Sequence, residues 1–250
     1  MEILTKLLTP YEGIARWTER RKLLSLLGIA FVLRLYLVIT ARGIDPDAVA
    51  YLSIAKNFID RDYYHAFSNV FPPFYPFLTA LLFPFTGDFE LAGRIVSAIL
   101  GTLTILPIFY LGKRLFGETI TMFSVLLAVF QPYLVRFSGS VLTESTYTFL
   151  VALAVLVGWK GLDSRSKGLM FLLGVLLGLA YLTRPEGIGF VILFFPWILF
   201  FDGPRFWLHL RRKCSMLFLL MAGVLILALP YILFLHEVTG RWILSRKVGF

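Results

Sequence analysis

Apolar runs long enough to cross a lipid bilayer recur along the whole chain, and they exclude most of what 250 residues could otherwise build. A spanning helix needs about 20 mostly apolar residues, because the hydrocarbon core is about 30 Å thick and each residue rises about 1.5 Å. Seven stretches reach or approach that length: residues 23–40, 91–111, 120–137, 142–159, 169–182, 188–201 and 216–235. Charged residues fall to 16%, against about a quarter in soluble domains, so these runs cannot all be buried strands or helices of a soluble core. The expected fold class is all-α. It is a polytopic membrane helical bundle, one transmembrane domain over residues 1–250, whose extracytoplasmic loop carries amphipathic juxtamembrane helices. Gly174 and Gly178 form a GxxxG pair in the fifth span, which lets a neighbouring helix pack closely.

Residues 71–85, FPPFYPFLTALLFPF, are apolar but short and carry four prolines, so an interfacial or re-entrant segment is expected there. Charge supports this. With seven spans and a cytoplasmic N-terminus, the inner segments carry 14 basic and 6 acidic residues and the outer segments 9 of each, with Arg34 inside the first span. That is the bias of the positive-inside rule, so the net charge of +9 reads as a topology signal, not as a nucleic-acid patch. A span at 71–85 would move Lys113 and Arg114 outside. The first 22 residues are charged throughout, and no small-residue cleavage site follows the first span, so no cleavable signal peptide is read. The expected location is a prokaryotic plasma membrane, with the site on the outer face. Cys214 is the one cysteine, which excludes an intrachain disulfide. His65, His209 and His236 have no metal-ligand spacing.

The outer loop, residues 41 to about 90, holds the candidate chemistry. Asp45 before Pro46 is a helix start signal, an N-cap acid followed by proline at the first helical position. An amphipathic helix follows, with Tyr51, Ile54 and Phe58 on one face. Asp45 is therefore expected to act mainly as the cap, whereas Asp47 is either a helix-dipole acid or a functional carboxylate. The Asp-x-Asp spacing also leaves a divalent metal as a candidate cofactor. Glu144 begins the fourth span, with Thr143 as its expected cap. Arg94, Arg184, Glu186 and Arg136 fall on the same side. Charged groups gathered at one membrane face make a site hypothesis.

The order of these segments resembles the GT-C superfamily of integral membrane glycosyltransferases, closest to the branch of protein O-mannosyltransferases and aminoarabinose transferases. The segments are PDAVAYLSIAKNF, FPPFYPFLTALLFPFTGDFELAGR, QPYLVRFSGSVLTESTYTF and GLAYLTRPEG, and the resemblance runs from about Arg21 to the end. It implies a polyprenyl-phosphate-linked sugar as donor, a membrane lipid, glycan or protein as acceptor, and inverting transfer on the outer face. Pro46, Asp47 and Tyr51 match a P-D-E-x-x-Y pattern in which Ala48 replaces the Glu. Phe71 replaces the His of an HPPLYP pattern. The resemblance makes Asp47 the catalytic base, with Asp45 as a second loop acid and Glu144 orienting acceptor or base. Arg94 and Arg184 become phosphate contacts, and Tyr51 and Glu186 bind substrate. Such enzymes are usually longer, so these residues are expected to be the N-terminal part of a longer chain.

Two other classes compete. A transporter or flippase of lipid-linked sugars predicts several charges deep in the spans and related halves, but only Arg34 lies deep. A non-catalytic membrane assembly subunit predicts loop acids that serve only as caps.

Overall fold

A computed structural model describes residues 2–41, 43–201 and 210–246, with side chains from Glu19 onward. Among the charged residues counted above, Glu2, Lys6, Glu12, Arg16, Arg42, Asp202, Arg205 and Lys247 lie outside the described side chains, as does His209. The helices in chain order are α1 (Glu2–Thr40), α2 (Pro46–Ile59), α3 (Tyr63–Ala66), α4 (Phe74–Thr86), α5 (Phe89–Leu103) and α6 (Ile105–Phe130), then α7 (Pro132–Ser138), α8 (Glu144–Asp163), α9 (Lys167–Tyr181), α10 (Gly187–Phe200) and α11 (Leu210–Thr239). The described residues contain no strand. The all-α membrane bundle expected from the apolar runs is the fold found.

Among the described residues, four helical stretches are long and apolar enough to cross a membrane: Glu19–Thr40, Phe89–Phe130, Glu144–Asp163 and Leu210–Thr239. The second has 42 residues and holds two arms. The backbone leaves helical geometry at Gly117, with φ 79° and ψ −178°. A Cβ on Gly112 would stand 3.1 Å from Thr121 Oγ1. An unbroken helix would separate residues nine apart by about 13 Å, so the chain folds back between them. Ile105 and Phe109 of one arm accordingly pack with Val125 and Val129 of the other, and with Leu23 and Ala30 of α1. The second and third expected spans are these two arms. The third ends earlier than its apolar run. Pro132 lacks an N–H and opens a new helix, and the Gln131 side chain caps it by accepting from Leu134 N at 2.6 Å.

α4, α9 and α10 have 13, 15 and 14 residues. At about 1.5 Å per residue each spans only about 20–22 Å. For α4 this agrees with a segment that does not cross by itself. For α9 and α10 it makes the expected fifth and sixth spans shorter than the hydrocarbon core. α9 is nevertheless at the centre of the largest buried cluster, with α8, α10 and α11. A Cβ on Gly174 would lie 2.1 Å from Leu220 O, and one on Gly223 would lie 2.4 Å from Phe171 O. The GxxxG helix therefore packs backbone to backbone on α11.

The polar side chains sort to the two ends of the bundle. At one end Glu19 pairs with Lys113, Lys22 with Glu118 at 3.8 Å, and Arg114 with Asp163 at 2.9 Å. Arg212 donates to Arg165 O at 2.9 Å. Every one of these residues falls in a segment that the charge count assigns to a single side. The segments assigned to the other side meet at the opposite end.

Candidate active site

Three segments distant in sequence converge on Tyr51. Pro46 starts α2, and Tyr51 lies one turn further on, 4% exposed, because α2 lays Ala48, Tyr51, Ile54 and Ala55 inward. Its ring stands edge-on to Phe71 at 5.1 Å and to Tyr75 at 5.6 Å, both from the FPPFYP segment. Tyr75 is fully buried and hydrogen-bonds Gly93 O at 3.0 Å and Ser97 Oγ at 3.1 Å on α5. Phe74 N donates to Leu182 O at 2.9 Å, which ties the same segment to the turn that carries Arg184.

Tyr51 feels Asp47, Glu144 and Arg184 together. Burial pushes its hydroxyl up to about 12, a hydrogen bond with Thr143 partly offsets that, and the carboxylates of Asp47 and Glu144 add to the rise while Arg184 opposes it. The hydroxyl is a neutral donor at any physiological pH.

Glu144 opens α8, and its carboxylate is held by Arg184 Nη1 at 2.7 Å. The same nitrogen reaches Thr143 Oγ1 at 3.5 Å, Nη2 reaches Glu186 at 3.5 Å, and the guanidinium carbon lies 5.9 Å over the Tyr147 ring. Burial alone would lower Arg184, but Glu144 and then Glu186 more than reverse it, leaving the guanidinium above its usual value. The second oxygen of Glu144, Oε2, is buried without a hydrogen-bond partner among the described residues. An unpaired buried carboxylate oxygen is costly, so it is suited to receive an O–H or N–H from a ligand.

The capping expectations change here, and the expected phosphate-binding arginines have protein partners. Asp45 stands at the cap position of α2, but its side chain makes no cap hydrogen bond. Thr143 likewise does not cap α8. Its hydroxyl is turned to Arg184 and Tyr51 instead. Arg94, expected to contact phosphate, is 6% exposed and donates to Val38 O at 3.3 Å, Ala41 O at 2.8 Å and Gly43 O at 3.1 Å, and pairs with Glu90. It satisfies carbonyls that the end of α1 leaves without helical partners, and it fixes the strand of chain leading into α2. Arg184, the other expected phosphate contact, is taken up by two carboxylates. Sequence reasoning also missed Tyr75 and Tyr147. The FPPFYP pattern was the available signal for the first, because a tyrosine among prolines beside a buried helix needs a partner for its hydroxyl.

For a divalent metal, the described residues offer no group of three His, Cys, Asp or Glu side chains placed to hold one. Asp45 and Asp47 by themselves do not make such a set.

No curated protein shows a significant sequence match to the chain. A family model does match: dolichyl-phosphate-mannose-protein mannosyltransferase, over residues 70–234, which is roughly two thirds of the chain. The match covers the FPPFYP segment, Arg94, Arg136, Glu144, Arg184 and Glu186, and begins after Asp45, Asp47 and Tyr51. With a helical bundle, long apolar spans and an acidic cluster at one end of it, the chain belongs to the dolichyl-phosphate-mannose-protein mannosyltransferase family, membrane glycosyltransferases of the GT-C type.

Proposed function

We propose that the protein moves a sugar from a polyprenyl-phosphate carrier to a hydroxyl or amine acceptor at the outer membrane face, in a single inverting displacement with Asp47 as base. The observation that supports this reading is that Asp47 of the loop helix, Glu144 and Arg184 all act electrostatically on the buried Tyr51 hydroxyl. The acceptor heteroatom attacks the anomeric carbon, the bond from that carbon to the phosphate oxygen breaks, and the acceptor proton passes to Asp47. General-base help of this kind contributes about 100-fold or more. Glu144, fixed by Arg184, accepts a hydrogen bond from the acceptor through Oε2. Tyr51 donates from its neutral hydroxyl. Among the described residues, Asp47, Glu144 and Glu186 set three carboxylates against the one guanidinium of Arg184, a formal charge of −2. A negative field stabilises both the proton-accepting step and the positive charge that builds on the sugar ring.

The test is the anomeric configuration of the product, read by NMR after turnover by the full chain in lipid nanodiscs with a polyprenyl-phosphate sugar. Inversion is expected. Retention would require a covalent intermediate and would overturn the role given to Asp47.

A further inference from the structure

A phosphate needs a cation that carboxylates have not already claimed, and among the described residues Arg94 and Arg184 are both claimed: Arg94 by Glu90 and three carbonyls, Arg184 by Glu144 and Glu186. Among the described residues, the cluster sets three carboxylates against one guanidinium, which disfavours a phosphate. Arg136 is different. It sits in the last turn of α7, its side chain is exposed, and its guanidinium makes no hydrogen bond or ion pair with the described residues. It lines a cleft of about 610 Å³ between the end of α1, the chain entering α2, and α7, together with Leu37, Ile44, Asp45, Pro132 and Val135.

We propose that this cleft binds the polyprenyl phosphate of the donor, with the phosphate on Arg136 and the first isoprene units along Leu37, Ile44, Pro132 and Val135. The proposal rests on the glycosyltransferase reading and adds to it a site for the donor's lipid end. The cleft has the composition that such a ligand requires: apolar walls at the outer end of two helices, a cation at the rim, and a volume in the range of ligand pockets. Its apolar wall is open at the side, where Ile44 and Pro132 are exposed, so an isoprenoid can enter there. Asp45 explains the link to chemistry. Released from capping, it faces the cleft from just before α2, two residues before Asp47. A sugar on a phosphate held by Arg136 is thus presented towards the N-terminal turn of α2, with Asp45 available to its hydroxyls and Asp47 to the incoming acceptor. Charge sorts the substrates: anionic donor to the Arg136 cleft, acceptor to the acidic cluster.

The test is equilibrium binding of a polyprenyl monophosphate without sugar, measured by native mass spectrometry on the full chain. This readout involves no transfer chemistry, so it stays informative if the role of Asp47 is wrong. Arg136→Ala is expected to weaken binding by about 10-fold or more, Arg136→Lys by less, and Ile44→Asp, which spoils the apolar wall, comparably to Arg136→Ala. Inorganic phosphate at millimolar concentration should not displace the lipid from the wild type, because the isoprene contacts are part of the site. Arg184→Met should leave binding within about 3-fold. The proposal is overturned if folded Arg136→Ala binds like the wild type, if Arg184→Met is the variant that loses the lipid, or if inorganic phosphate competes as well as the lipid phosphate does.

Discussion

Arg184 and Glu144 meet at 2.7 Å across 40 residues of sequence, and that pair fixes the start of α8 to the turn between α9 and α10. Both side chains are about 70% buried, so neither charge is well served by water alone. Arg184→Met should strand Glu144 and reduce turnover by about 10-fold or more, and Arg184→Lys should recover part of it, because an ammonium cannot fork between two carboxylates. Steady-state kinetics with a melting curve for each variant checks this. Full activity in Arg184→Met would remove Glu144 from the chemistry.

Arg94 is a clamp for the loop. Arg94→Gln removes charged donors from three carbonyls and a partner from Glu90. Stability should drop by about 2–4 kcal/mol, since bonds to charged groups contribute about 1.5–3 kcal/mol each and some are replaced by water. Denaturation in mild detergent measures it. A loss of donor affinity with unchanged stability would instead support a phosphate contact.

Gly101 is required by Arg34, a charge deep in the bundle. Arg34 is fully buried and donates to Ser138 Oγ at 3.2 Å and Ala30 O at 3.1 Å. A Cβ on Gly101 would lie 2.0 Å from that same Ser138 Oγ. Gly101→Ala should cost about 1–3 kcal/mol of stability through overpacking, and Gly101→Val, which adds bulk at the same contact, should cost more. Thermal shifts of the two variants decide the matter, and an unchanged melting temperature in both would mean that the steric account is wrong.

Tyr51 should not be the group behind any alkaline loss of activity below pH 10. Its folded value, about 12, lies above that of an unfolded tyrosine, so the stability it contributes is intact below pH 10 and is lost only as pH rises from there through 12. The alkaline limbs of wild type and Tyr51→Phe should therefore coincide between pH 8 and 10. A limb that vanishes in Tyr51→Phe would place the tyrosine hydroxyl's titration within the working range.

The apolar runs announced the helices because a bilayer demands length and composition, and both are written locally. Gly117 and Pro132 set breaks that periodicity alone blurred: residues 120–137 read as one apolar stretch, and only the missing N–H of Pro132 divides it. Asp45 shows the limit of local signals. Asp-Pro is a sound start to a helix, and the helix does start there, but the carboxylate does not cap it and instead lines a cleft shared with α7, far away in sequence. Arg94 was legible as a charge near a span end. Its partners, the carbonyls of Val38, Ala41 and Gly43, were not, because backbone acceptors look the same at every residue. The cluster of Tyr51, Glu144 and Arg184 was legible as three segments on one side. Which carboxylate takes which guanidinium required the fold.

The most direct test compares turnover of Asp47→Asn and Asp45→Asn in the full chain, with expression and melting temperature as controls. Asparagine keeps the shape and cannot accept the acceptor's proton. The account predicts that Asp47→Asn folds normally and loses about 100-fold or more in kcat. Asp45→Asn should stay within about 10-fold, with the change mainly in KM for the donor. Full activity in Asp47→Asn, or its retention while Asp45→Asn is dead, would contradict the assignment of the base.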